Sequence, residues 1–357
     1  MSVQWMEGFN LYGSSISEMG AGTQWAALDG VLTIDPQDGV SDYCLLIDDS
    51  GASNLIGSRA TLPTPGNAIG VAFRWRVNQL PNNGGQLPSV TFVDSGANKQ
   101  YGLMLNTSGR LQFGFTTDQQ YTIETVVETT ASQVIFANTW YHIEMFVDVT
   151  TGVYEVRVEG TTVLSGTDSS GSRPTSDMYG VMFTKRSNGA TSSITEHTAY
   201  IKDLILWDDL GSENNDFVGT VSVFTLMVDE DISSGWTASS GLDQYALLDE
   251  ASVNDSDYIT ADDTPPAAAV FGCEDLPADI VSIKAVQPIA RLFKSDAGDA
   301  TVQMAAISAG DSDTGADRTV SQTPAYYFDI SEVSPDTATS WTPSEVNSIN
   351  LSIDRTA

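Results

Sequence analysis

Apolar and polar residues alternate with period two along most of this chain, and sustained helical periodicity is scarce, so the pattern predicts an all-β protein. In the run 68–77, Val71, Phe73, Trp75 and Val77 fall on one side and Arg74 and Arg76 on the other. Tyr101, Leu103 and Leu105 repeat the pattern. Leu111, Phe113 and Phe115 resume it after Thr107-Ser108-Gly109-Arg110, which marks a hairpin. A second hairpin is expected from 140–148 through Thr150-Thr151-Gly152 to 153–158, and further strands over 178–184 and 199–207. Clusters of Gly, Asn, Ser and Asp separate these runs at about 8 to 15 residues, the rhythm of an antiparallel sandwich.

The first domain, residues 1–209, is expected to close at the polar, turn-rich stretch 210–216. Residues 210–266 read as an acidic bridging segment. A new apolar alternation starts at 217–223, while 229–256 reads as irregular. After Pro265-Pro266, residues 267–357 read as a second, smaller β-sandwich with strands over 267–271, 280–293, 301–307, 325–330 and 348–353. Thr342-Pro343-Ser344-Glu345 predicts one short C-terminal helix, with Thr342 as N-cap, Pro343 at the first helical position and Glu345 completing a capping box. No tandem repeat of fixed period is present.

Charge narrows the partners. The 357 residues hold 47 acidic against 15 basic side chains, a formal charge of −32, yet charged residues are only 17% and hydrophobic ones 41%. Cations are missing rather than acids overabundant, and enough apolar residues remain to bury real cores. No Lys or Arg occurs in 1–58 or between Lys202 and Lys284. Nucleic acid and anionic membrane surfaces are therefore excluded as direct partners, since both need clustered cations. Cys44 and Cys273 lie far apart and are expected as two free thiols, in keeping with assembly in a reducing cytoplasm. The start, Met1 to Phe9, has neither the basic residues nor the apolar run of a signal peptide, and no stretch is apolar enough to span a membrane.

The run Asn138-Thr139-Trp140-Tyr141-His142-Ile143-Glu144, followed by Asp148, Thr151-Gly152 and 156–160, resembles a strand pair of concanavalin-A-like and laminin-G-like jelly rolls. Residues 201–209 are similar to the last strand of such a domain. Residues 211–221, Trp236, 245–250, 254–258 and the terminal stretches 334–337 and 341–347 resemble runs in bacteriophage virion proteins, in which a lectin-like jelly roll precedes a second β domain. That resemblance implies a place on a virion, with assembly in the host cytoplasm. It carries no catalytic residue.

A retaining glycosidase needs two carboxyls about 5 Å apart, which a Glu-x-Asp-x-Glu strand supplies. The nearest run, Glu155-Val156-Arg157-Val158-Glu159, has Arg157 where the middle acid should stand, and reads as a solvated strand face with an ion pair. Of the two histidines, His142 falls within an expected strand and reads as a hydrogen-bonded structural imidazole; His197 is the other. Ser312, in Gly310-Asp311-Ser312-Asp313, sits in a turn without a strand-to-helix elbow. Asp255 and Asp257, or Asp311, Asp313 and Asp317, offer oxygen ligands for calcium, an ion that the jelly-roll resemblance also implies. Neither run matches an EF-hand loop, and both also read as solvated turn acids. Candidate glycan-contacting aromatics are Trp25, Tyr43, Tyr121 and Tyr179, each with burial in the core as its plain alternative.

The expectation from sequence is thus a non-enzymatic virion structural protein, a tail-fibre, tail-tip or capsid-decoration component whose partners are other virion proteins and further copies of itself. Two alternatives stand beside it: a glycan-binding host-attachment adhesin and a glycan depolymerase. No cofactor is required, calcium being the one candidate.

Overall fold

The computed structural model describes residues 3–12, 19, 24–29, 32–36, 43–47, 56–81, 87–96, 98–115, 123, 125–185, 198–241, 243–250, 253–261 and 267–357. The chain divides into two compact units. One comprises residues 3–10 and 24–223, the other 224–357 with Leu11, Tyr12 and Met19. No helix among the described residues is long and apolar enough to cross a membrane.

Unit 1 contains fifteen described strands: β1 (Val3–Glu7), β2 (Trp25–Asp29), β3 (Leu32–Pro36), β4 (Tyr43–Ile47), β5 (Ile56–Gly66), β6 (Ala68–Val77), β7 (Leu87–Val93), β8 (Lys99–Leu105), β9 (Leu111–Phe115), β10 (Thr125–Thr129), β11 (Tyr141–Asp148), β12 (Val153–Val158), β13 (Thr161–Thr167), β14 (Met178–Lys185) and β15 (Ala199–Asp208). They form two antiparallel sheets. One runs β13-β12-β11-β6-β15-β4-β3 with β1 also on β15, and the other runs β10-β9-β8-β7-β14-β5-β2. The chain stays in one sheet through β3–β4, β7–β10 and β11–β13 and crosses between the sheets at the other connections, which places sequence-distant strands such as β6 and β15 side by side in a jelly-roll sandwich.

The period-two alternation explains the packing. Phe73, Trp75, Ile143, Met145 and Val156 point inward from one sheet and Phe92, Tyr101, Leu103, Phe113 and Phe183 from the other, all 0–2% exposed. Phe73 meets Phe183 edge-on at 5.4 Å, and Phe113 stacks on Tyr154 at 4.1 Å, so the sheets interlock through rings each worth about 2 kcal/mol of burial. Two buried phenols keep partners: Tyr101 donates to Asp168 and Tyr154 to Glu128, each at 2.9 Å.

The expected β8–β9 hairpin is present. Asn106 accepts through its side chain from the amides of Ser108 and Arg110, and Gly109 takes φ +68° where a Cβ would stand 2.4 Å from the Ile135 carbonyl. The β11–β12 hairpin and strands β14 and β15 also lie where the alternation places them.

Unit 2 is a smaller all-β unit. Its strands are β16 (Val228–Ser234), β17 (Thr237–Ala238), β18 (Ile259–Thr260), β19 (Ala267–Cys273), β20 (Ile289–Leu292), β21 (Thr301–Ser308), β22 (Asp311–Thr314), β23 (Arg318–Thr319), β24 (Ala325–Phe328) and β25 (Asn350–Arg355). The main sheet runs β16-β19-β25-β21-β22 with β23 on β21, and two short ribbons pair β17 with β18 and β20 with β24. Phe271, Val302, Met304 and Ile353 form its core with Trp236, Tyr245 and Tyr327 against them. A second cluster joins Trp341, Val346 and Ile349 to Ala306. The predicted helix is α1 (Pro343–Val346), with both halves of the capping box made between Thr342 and Glu345.

Four local expectations differ from the structure. Residues 229–256 are not wholly irregular: Val228–Ser234 pairs with β19 as an edge strand, and its exposed side chains leave no alternation to read. The run 280–293 yields only β20 and one bridge, Val286 with Ser331; Val281 is 89% exposed and Pro288 lacks an amide donor. The last strand begins at Asn350 rather than Ser348, because Ser348 closes α1 through its amide and hydroxyl. Residues 217–223 form no strand despite their alternation. Cys44 is buried in unit 1, Cys273 half-buried in unit 2, and neither forms a disulfide; burial pushes the Cys273 thiol up to about 12.

Candidate functional site

The outward face of the β6–β11–β15 region carries the chemistry of unit 1. While Ile143, Met145 and Val147 of β11 face the core, Trp140, His142, Glu144 and Phe146 alternate with them on the other side. Register places Arg74 opposite His142 and Ala72 opposite Glu144, while Arg157 of β12 lies opposite Glu144 on the far edge. Tyr200 and Lys202 of β15 pair with Arg76 and Arg74. Gly70 permits the Trp207 indole to lie flat over β6, since a Cβ there would stand 2.0 Å from that ring.

One end of this face is half-exposed and aromatic. Trp140 and Tyr200 meet edge-on at 6.3 Å and 64°. The Arg76 guanidinium lies 4.2 Å from the Tyr200 ring and 5.0 Å from Trp140, and the Lys202 ammonium also lies 5.0 Å from Trp140. These contacts hold both rings in place in a chain otherwise poor in cations. Phe136, 53% exposed, stands four residues before Trp140, and the Asn138 amide anchors the intervening loop to the Val77 carbonyl at 2.7 Å.

The middle of the face is covered by residues 217–223, which cross it as a strap. Phe217 sits between Trp207 (5.5 Å) and the Arg157 guanidinium (3.6 Å), with Phe146 at 6.5 Å; Phe146 itself stacks on Trp207 at 5.4 Å and 3°. The Gly219 amide donates to Glu144 Oε1 at 3.0 Å and the Val223 amide to Asp203 Oδ1 at 2.9 Å. Asp203 occupies a bulge of β15 at φ +53° and pairs with Arg74 at 3.4 Å.

On this outward face several polar groups are incompletely satisfied. His142 is 1% exposed with neither ring nitrogen hydrogen-bonded; Glu144 is 0% exposed with Oε2 unbonded; Trp207 Nε1 also has no hydrogen-bond partner. Each such group costs about 1–3 kcal/mol, which makes three residues on one face unusual for a native fold. Burial, reinforced by the charge of Arg74, lowers the His142 imidazole to about 4. Burial raises the Glu144 carboxyl against the opposing pull of the Gly219 amide and Arg157. The hydrogen-bonded imidazole expected from sequence is not found: the bonds of His142 to Glu159 run through its backbone, the amide donating to the Glu159 carboxylate at 2.7 Å and the carbonyl accepting from the Glu159 amide at 2.9 Å, and its ring nitrogens have no partner.

The structure scatters the residues singled out from sequence. Trp25 is core, 3% exposed and edge-on to Trp5 at 5.6 Å, so it offers no face to a ligand. Tyr43 begins β4, half-buried, and Tyr179 is 39% exposed on the other sheet; Tyr121 and His197 lie outside the described residues. Glu155 forms the expected ion pair with Arg157 at 2.7 Å, but both are half-buried, with Phe217 over the Arg157 guanidinium, and Glu159 leaves the strand at φ +50°.

In unit 2, Asp255 is held by Arg291 through two contacts of 2.9 and 3.0 Å, and Asp257 accepts from Asn254 at 2.7 Å. Asp311, Asp313 and Asp317 are exposed. Ser312 lies within β22 and not in a turn, the reversal falling on Ala309 and Gly310. Among the described residues no three His, Cys, Asp or Glu side chains converge as a metal site. Phe217, Trp207 and the strap were not singled out; the alternation of His142 and Glu144 with core residues on a central strand was the available signal.

No protein-family model matches the chain, and no curated protein matches it. Among solved structures it is similar to a carbohydrate-binding module from Bacillus subtilis, at 14% identity and TM-score 0.35 over 52% of this chain and 97% of that one. It is also similar to a Bacillus subtilis protein described as having a galectin-like fold, at 13% identity and TM-score 0.39 over 58% and 96%. A sialidase matches at 15% identity and TM-score 0.39, over 57% of this chain but only 18% of its own length. These likenesses are distant, and the jelly-roll class stated here rests on the strand pairing of the chain itself.

Proposed function

We propose that the protein is a non-enzymatic carbohydrate-binding protein that engages a glycan through the half-exposed end of the β6–β11–β15 face. The observation that carries this reading is the Trp140–Tyr200 pair braced by Arg76 and Lys202. A sugar ring has an apolar face that lies against an aromatic side chain and hydroxyls that reach neighbouring polar groups. Rings already fixed by their neighbours lose little freedom when a ligand arrives.

The test is a glycan array of pyranose polysaccharides probed with the full chain, followed by titration of the best binder. Trp140→Ala should weaken binding about 10-fold or more, the equivalent of about 1.4 kcal/mol, with an unchanged thermal midpoint. An array without a hit would overturn the reading. Display on a bacteriophage particle remains a proposal resting on the sequence resemblance, and host attachment through a glycan would be compatible with it.

A further inference from the structure

The strap is arranged as a ligand would be. It places an apolar ring between an indole and a guanidinium, and it points one hydrogen-bond donor at each of two carboxylates, Glu144 and Asp203. It leaves the rest of the floor unanswered: both nitrogens of His142, Glu144 Oε2 and Trp207 Nε1 have no hydrogen-bond partner, although His142, Glu144 and Trp207 are each at least 99% buried. Thr220 and Ser222 are exposed on the strap, so it covers the floor as a single layer of chain. A face built only to pack a strap would be apolar; this one is supplied with donors and acceptors the strap does not use.

We propose that the floor beneath residues 217–223 is a carbohydrate subsite, occupied in this state by the protein's own strap, and that a pyranose oligosaccharide takes it by displacing the strap. The proposal rests on the carbohydrate reading above and extends it inward along the same strand. Trp140, His142, Glu144 and Phe146 form one outward row, so a chain seated at the exposed end runs directly into the covered part, about 13 Å from Trp140 to Glu144. The chemistry of a sugar matches what is left open. The apolar face of a pyranose replaces Phe217 against Trp207. Its hydroxyls donate to Glu144, Asp203 and the neutral His142, and accept from Trp207 Nε1 and Arg157. A peptide backbone has fewer donors per unit length and meets fewer of these groups.

The experiment compares the full chain with the variant Phe217→Ala/Gly219→Pro, which removes the ring and the amide that hold the strap. The probes are soluble β-linked glucan, xylan and galactan oligosaccharides. At least one should bind the variant about 10-fold or more tightly than the native chain, and Glu144→Ala added to the variant should abolish the gain. In the native chain, saturation with that oligosaccharide should speed amide hydrogen exchange at Gly219 and Val223; this readout does not depend on the variant folding well. Binding at Trp140 with no gain in the variant and unchanged exchange at the two amides overturns this proposal and leaves the carbohydrate reading intact. No binding by native chain or variant overturns both. A variant that binds no sugar but forms dimers shows that the floor takes the strap of a second copy, which also overturns it.

Discussion

A neutral imidazole sealed beside a guanidinium gives unit 1 a defined response to acid. His142 titrates at about 4 in the folded chain and near 6.5 when unfolded, so between those values the unfolded state binds more protons. The stabilisation is fully present above pH 6.5 and is lost as the pH falls toward 4, amounting to about 3 kcal/mol. Glu144 has the opposite sign: its raised carboxyl contributes stability below the usual carboxylate range and loses it as the pH rises through the folded value. Urea titrations at pH 7 and pH 4 should therefore show a larger acid loss for the native chain than for His142→Gln; equal losses would remove His142 as the sensor. Gly70 is a second sensitive residue. Gly70→Ala would drive a methyl into the Trp207 indole and should cost about 3 kcal/mol, read as a fall in denaturation midpoint with quenched or shifted tryptophan emission.

Elements differ in how openly they declare themselves. The α1 helix was legible to the residue, because a Thr cap, a Pro at the first position and a Glu three residues on satisfy backbone donors locally. Hydrogen bonds from the Thr342 hydroxyl, the Thr342 amide and neighbouring hydroxyls hold the Glu345 carboxyl down at about 2. Thr342→Ala should cost about 1 kcal/mol in chemical denaturation, and a loss near zero would mean that Trp341 and Ile349 packing alone holds the segment. Strands β6, β8, β9, β11 and β12 were equally legible, since large apolar side chains recur at every second position along one face of each. Strand β16 was not, because an exposed edge strand is specified by its partner's backbone. The strap misleads for the converse reason: residues 217–223 alternate as a strand would but form none, and crossing a sheet face leaves Phe217 half-buried and Val218 buried.

At the scale of the whole molecule the −32 charge acts on both units. Carboxylates without nearby cations repel one another more strongly in the compact state than in the unfolded chain, and salt screens that repulsion over about 10 Å at 0.1 M. The thermal midpoint should therefore rise as sodium chloride increases from low ionic strength, and a flat response would show that the acids are dispersed enough not to interact. If the protein assembles in arrays, the same repulsion requires cations between copies. Assembly should then weaken on adding a chelator at low salt, as measured by sedimentation.

By itself the sequence determined the fold class, the main hairpins and the capped helix, because those depend on alternation and turn chemistry within a few residues. It also carried the expectation that nucleic acid and anionic membranes are not direct partners, which depends only on the supply of cations. Tertiary structure decided which outward residues meet. Trp140 and Tyr200, or Phe217, Arg157 and Trp207, are brought together by strand order across a sheet, and no local pattern encodes that order. The same order explains why Trp25 proved to be core and why Glu144 accepts from a strap amide, that of Gly219, which lies 75 positions further along the chain.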